Sequence, residues 1–253
     1  MKIGIVCYPT FGGSGVVATE LGIELSKRGH EIHFITYSQP VRLDLLSNQV
    51  HFHEVNVPDY PLFHYQPYEL ALSSKLVNTV KKYELDLLHV HYAIPHAYAA
   101  YMAKQILKDE GIGLPIVTTL HGTDITLVGN HPFYKPAVTF SINKSDAVTS
   151  VSKSLKEDTK RLFGIQKTIE VIPNFIDLDA EQHQHADCQR SAMANDNERI
   201  ITHISNFRPV KRISDVIKIF HQIQKTLPAK LMMVGDGPER EKAAKLVKKM
   251  GIK

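Results

Sequence analysis

Short apolar runs alternate with stretches whose apolar residues recur every three or four positions, and this rhythm runs through most of the chain. Residues 2–7 read as a strand, 16–28 as a helix, 31–36 and 50–55 as strands, and 68–83 as a helix. A strand at 86–91, a helix at 95–107, a strand at 114–120 and a helix around 132–143 follow. A strand at 147–151, a helix at 155–163 and a strand at 170–172 complete a first unit. Brief apolar strands separated by amphipathic helices are the pattern of βαβ units, so the expected fold class is α/β with a mostly parallel sheet.

The rhythm stops at 177–198, where Asp-Leu-Asp-Ala-Glu-Gln-His-Gln-His-Ala-Asp and Ala-Asn-Asp-Asn-Glu carry no apolar period. This predicts a linker or a long surface loop. It then restarts with a strand at 199–205, a helix at 212–226, a strand at 230–234 and a helix at 239–250. Residues 1–176 are thus expected to form one Rossmann-like domain and 199–253 the start of a second. Two strands fall short of the roughly five or six of a doubly wound sheet, so the second domain is expected to be truncated.

Composition narrows the class. The chain has 253 residues, 43% of them apolar, with a formal charge of +4. Its cations are interleaved with acids on the predicted helices, which gives solvated faces and no concentrated basic patch for nucleic acid. No apolar run approaches the eighteen or so residues of a membrane span. Two distant cysteines, Cys7 and Cys188, form neither a disulfide framework nor a zinc spacing. A soluble, cytoplasmic protein is expected.

The polar residues that interrupt the pattern gather at predicted strand ends. Gly12-Gly13-Ser14-Gly15 follows the first strand and opens a helix, where backbone amides can meet a phosphate. A turn that needs glycine only for its backbone freedom is the plainer reading. A nicotinamide cofactor fits poorly, because residues 8–11 separate strand from glycines and the second strand ends Ile35-Thr36-Tyr37-Ser38 without an acid for the ribose.

His121-Gly122-Thr123-Asp124 ends another strand, placing a proton carrier and the amides of Gly122 and Thr123 at the ligand-binding edge. His89, His91 and His96 lie close in sequence, but no cysteine or paired acid completes a metal set, so packing or substrate contact is expected of them. After the strand ending Ser205-Asn206, Arg208, Lys211 and Arg212 bring three cations to a helix start, where they would either neutralise a diphosphate or simply be solvated. Gly235-Asp236-Gly237-Pro238-Glu239 forms a tight turn before the last helix.

Together these segments resemble the retaining nucleotide-sugar glycosyltransferases of family 4, whose GT-B architecture sets two Rossmann-like domains face to face. The resemblance rests on the glycine loop at 12–15, His121-Gly122, Val151-Ser152-Lys153-Ser154, Ile172-Pro173-Asn174-Phe175, the cationic turn through Lys211, and Val234-Gly235-Asp236-Gly237-Pro238-Glu239, in that order. It is closest to members that move N-acetylglucosamine from UDP-N-acetylglucosamine to L-malate. The segments that carry this finer likeness are residues 7–15, 88–97, 118–126 and 206–212.

The resemblance implies catalytic roles for His121, Lys211 and Arg208, and donor contacts from Gly13, Ser14, Gly15, Gly122, Asn206, Lys211 and Gly235. Asn206 stands where many members carry arginine. The acceptor, a small dicarboxylate, calls for hydroxyl and amide donors, and Ser14, Tyr92, Thr119 and Thr123 lie on the predicted edge. No cofactor and no obligatory metal are implied, and homo-oligomerisation is left open. The family's Glu-x7-Glu segment, which holds donor sugar and ribose, would lie beyond Lys253, so low activity is expected of this length. A family 4 enzyme with another sugar or acceptor, and a non-catalytic acceptor-binding protein, are the alternatives.

Overall fold

The computed structural model describes residues 1–43, 48–176 and 193–252. Most of the expected linker, residues 177–192 with Cys188, lies outside the described residues. The chain divides into two units, Met1–Ile176 and Asp177–Lys253.

The first unit is a seven-stranded sheet in the order β3-β2-β1-β4-β5-β6-β7. Its strands are β1 (Lys2–Val6), β2 (Glu31–Thr36), β3 (Val50–Glu54), β4 (Leu87–His91), β5 (Ile116–Leu120), β6 (Ala147–Ser150) and β7 (Glu170–Val171). Every neighbouring pair is parallel. The helices are α1 (Gly13–Lys27), α2 (Tyr68–Tyr83), α3 (Tyr98–Asp109), α4 (Lys135–Lys144) and α5 (Lys153–Phe163).

Helices cover both faces, which is why the strands are apolar in both registers. Ile3, Ile5, Ile32 and Phe34 pack with Ala18 of α1. Their neighbours in the strands, Val6, Ile35, Leu88 and Val90, pack instead with Leu72, Leu76 and Val80 of α2 and with Ala99 and Ala103 of α3. A third cluster joins Leu120 and Val148 to Val138, Ile142, Leu155 and Phe163 of α4 and α5.

Two boundaries differ informatively from the sequence pattern. Helix α1 begins at Gly13, so Gly13 and Gly15 lie in its first turn and only Gly12 precedes it. Helix α3 begins at Tyr98, later than its apolar period suggests, because Pro95 holds Ile94 extended (φ −134°, ψ 145°) and a separate turn occupies Ala93–Ala97.

The strand order reverses between β1 and β4, and in doubly wound sheets the carboxyl edge at such a reversal is where ligands bind. That is where the glycine loop and Tyr92 emerge.

The second unit pairs β8 (Arg199–Ile204) with β9 (Ala229–Val234) in parallel and adds α6 (Ile213–Ile223) and α7 (Arg240–Lys249). Its core is Phe207, Ile213, Ile217 and Ala243, with Leu231, Met233, Leu246 and Val247 packed against it.

Candidate functional site

Three of the four hydroxyl residues expected at the strand edge meet. The Tyr92 hydroxyl donates to Ser14 Oγ at 2.8 Å, across the switch point between β1 and β4, and Thr123 Oγ1 donates to the Tyr92 hydroxyl at 3.3 Å. Tyr92 holds φ at +85°, a conformation that a bulky residue adopts only when its surroundings impose it. The imposing contacts are Tyr8, edge-on at 5.1 Å between ring centroids, and His121 at 5.2 Å. Thr119 does not join this group. Its hydroxyl is engaged below by Thr149 Oγ1 at 2.7 Å and by His89 Nε2 at 2.8 Å, and it is buried.

His121 is backed by a file of histidines. Thr119 and His121 alternate on β5 and its extension, and His89 and His91 alternate on β4, where the register sets His91 beside Thr119. His91 Nδ1 therefore reaches His121 Nε2 at 2.8 Å, with the rings stacked at 5.1 Å.

Burial drives every member of the file toward the neutral ring. His121 is brought down to about 4, first by loss of water and then by His89 and His96. His91 lies well below its ordinary value for the same first reason. His91 Nε2 is buried without a partner among the described residues. A bare lone pair is less costly there than an unpaired N–H, so the shared proton belongs on His91 Nδ1. His121 Nε2 then accepts, and its Nδ1–H is left as a donor. The arrangement makes His121 a neutral hydrogen-bond donor and a poor base at neutral pH.

Asp124, a residue the sequence reading left without a role, organises the turn after β5. It is 2% exposed, and one carboxylate oxygen accepts from the amides of Gly122 at 2.9 Å and His121 at 3.2 Å while the other accepts from Ala93 at 3.1 Å. This corrects the expectation that the Gly122 amide is free for a ligand. Gly122 contributes instead through its backbone, with φ at +117° and open space where a side chain would stand. The clue in the sequence was the acid three residues after His121, a spacing that suits a carboxylate folding back on the amides it follows.

The glycine loop also differs from the expectation in part. Gly13 and Ser14 open α1 behind Gly12, which supplies no side-chain cap, so the first-turn amides are the helix's unpaired donors. The Gly15 amide, however, returns to the Gly12 carbonyl at 3.0 Å. A Cβ on Gly15 would stand 2.4 Å from the Thr10 carbonyl oxygen, so this glycine lets the loop close on the helix.

In the second unit, the loop after β8 is pinned by Phe207, 4% exposed, whose amide donates to the Asp236 carbonyl and whose carbonyl accepts from the Glu239 amide. Gly235 permits this: at φ +132°, any Cβ would fall 1.9 Å from the Ser205 carbonyl oxygen. Its role is therefore to join two loops. Of the three expected cations, Arg212 is tied to Asp215, its Nε donating at 2.7 Å. Arg208 and Lys211 are exposed and, among the described residues, have no carboxylate partner; Asn206 is exposed on the same loop. Two exposed cations without carboxylate partners among the described residues thus stand just before α6.

A doubly wound unit with a hydroxyl-rich switch point, and a βαβα unit whose strand-end loop carries unpaired cations, have the fold class of the GT-B glycosyltransferases. The Glycosyltransferase Family 4 model matches residues 11–180, and the Glycosyl transferases group 1 model matches residues 187–253. The chain belongs to glycosyltransferase family 4.

Over all 253 residues it is 48% identical to the N-acetyl-alpha-D-glucosaminyl L-malate synthase of Bacillus anthracis, spanning 66% of that protein's length. It is 26% identical to an uncharacterized glycosyltransferase of Methanocaldococcus jannaschii, covering 100% of this chain and 67% of that protein. Among solved structures, Anabaena Alr3699/HepE in complex with UDP and glucose superposes with a TM-score of 0.71 at 18% identity, covering 100% of this chain and 67% of the other. Sucrose-phosphate synthase from Thermosynechococcus elongatus gives 0.70 at 16% identity, with coverage of 100% and 68%. At these identities the structural likeness is one of fold.

Proposed function

We propose that this protein transfers N-acetylglucosamine from UDP-N-acetylglucosamine to the hydroxyl of L-malate with retained anomeric configuration. The observation that carries this is the 48% identity, along the whole chain, with the Bacillus anthracis enzyme named for that product. Chemistry at the edge of the first unit supports it. A dicarboxylate needs converging donors: Thr123 donates to Tyr92 and Tyr92 to Ser14, so the Ser14 hydroxyl keeps its proton for a ligand and stands at the start of α1 with its unpaired amides.

In the reaction, the bond from the anomeric carbon to the diphosphate oxygen breaks and the malate hydroxyl oxygen forms the new one. UDP departs with the electron pair, and the hydroxyl proton is released. Arg208 and Lys211 would hold the diphosphate as its charge grows, a task that fixed cations perform without reorganising. His121 would donate from Nδ1 to a sugar oxygen, because its low basicity suits orientation better than proton removal. No resident cofactor or metal enters this scheme. A cytoplasmic setting is part of the same proposal. No described helix is long and apolar enough to cross a membrane.

The test is UDP release from UDP-N-acetylglucosamine with and without L-malate, using this chain and a form that spans the full length of its relatives. Release that rises at least about tenfold with malate is expected of the longer form. Equal release with and without malate would point to another acceptor. Malate binding without any release by either form would make the protein an acceptor-binding module.

A further inference from the structure

Away from the proposed transfer site, at the opposite edge of the first sheet, three potential metal ligands converge. Glu31 is the first residue of β2, His33 follows it on the same face, and the register sets His33 directly beside His51 of β3. Glu31 Oε1 lies 3.1 Å from His33 Nε2 and 3.4 Å from His51 Nε2, and all three atoms lie within 4.8 Å of one another. Two ligands held tetrahedrally at zinc bond lengths of ~2.0–2.1 Å stand about 3.3 Å apart, so the two short separations already match. The third needs only a swing of His51, whose side chain is 37% exposed.

The surroundings fit a metal as well. His33 Nδ1 meets His53 Nε2 at 2.9 Å, so a metal on His33 Nε2 would leave Nδ1–H donating to His53, the kind of outer partner that fixes a ligand's tautomer and ring plane. Tyr83, at the end of α2, lies 4.8 Å from both His33 and His53 between ring centroids and roofs the cluster. Two imidazoles and a single carboxylate are a poor set for calcium and magnesium, which take oxygen ligands, and suit metals that bond imidazole strongly.

The geometry points to a site for zinc or a chemically similar divalent transition metal at Glu31, His33 and His51, stapling edge strand β3 to β2. It is separate from sugar transfer, so it stands or falls independently of the activity proposed above. Sequence reading missed it because the ligands come from two separate segments, Glu31-x-His33 and His51, that only strand register unites.

Chelator-treated chain is titrated with Zn2+, and with Co2+ for its visible absorption, with Mg2+ as the control. One saturating equivalent of Zn2+, Co2+ bands typical of tetrahedral nitrogen and oxygen ligation, and a Tm raised by Zn2+ but not by Mg2+ are expected. Glu31→Gln and His51→Ala should each weaken Zn2+ binding at least about tenfold, while His64→Ala, a change at an exposed histidine elsewhere, leaves it unaltered. Matching far-ultraviolet circular dichroism and Tm in chelator would show that the variants fold. Zn2+ affinity and stoichiometry unchanged in both ligand variants, or no saturable binding by the parent chain, would overturn the site.

Discussion

Asp124 holds the functional edge together although it offers nothing to a ligand. Its carboxylate satisfies the amides of Ala93, His121 and Gly122, so it joins the turn after β4 to the turn after β5. Removing a buried acceptor leaves donors unpaired at about 1–3 kcal/mol each, although such losses do not simply add. Asp124→Ala is therefore expected to lose at least about 2 kcal/mol in urea unfolding, and Asp124→Asn less, since one oxygen remains. A value for Asp124→Ala within experimental error of the parent would refute this role. His121 and Gly122 were legible as residues of interest because a histidine and a glycine follow an apolar strand. Asp124 was legible only in part: its spacing after His121 suits a local turn, but the Ala93 amide it also satisfies is one the sequence cannot assign to it.

At the scale of elements, β4 and β5 carry an unusual polar file in the middle of a parallel sheet. Alternation puts His89 and His91 on one face of β4, Thr119 on the same face of β5 and His121 just past it, and the register locks them into pairs. Beside the file, His96 is fully buried and brought down to about 4 by loss of water, against the raising effect of its bond to the His91 carbonyl.

Such a group gives the fold a defined pH dependence. The folded value lies below the ordinary 6.5, so between pH 6.5 and about 4 the unfolded chain binds protons that the folded chain does not. Stability should be full above pH 6.5 and fall as pH drops through this window, by about 3 kcal/mol for His96 alone. Unfolding free energy measured from pH 7.5 to 4.5 should show the fall. His96→Asn, which has no titrating ring, should make the fall smaller by about that amount, the other lowered histidines keeping the rest, whereas an unchanged slope would remove His96 from the account.

At the scale of the whole molecule, the two units are expected to divide the ligands. Lys211→Ala should weaken UDP binding about tenfold and leave malate binding alone, because Lys211 lies in the second unit without a carboxylate partner to reorganise. Ser14→Ala should weaken malate binding while sparing most of the affinity for UDP, since it removes one end of the hydroxyl chain through Tyr92. Titration calorimetry of both variants with both ligands is the check. Equal losses for both ligands in either variant would contradict the division.

Among the described residues, the sequence by itself determined the order of the strands and longer helices and the parallel α/β class, because burial on two faces or one writes a period into the chain that local reading recovers. It also marked the strand ends where chemistry collects, since glycine, histidine and lysine there break an apolar pattern. Tertiary structure decided what those residues do. It spent the Gly122 amide on Asp124, paired Arg212 with Asp215, sank Thr119 beneath the edge, and assigned Gly15 and Gly235 to close backbone contacts. Each of these depends on distances between segments far apart in the chain or on the path of the backbone, and neither is contained in a periodicity. The same holds for Glu31, His33 and His51, which strand register alone brings into reach of one ion.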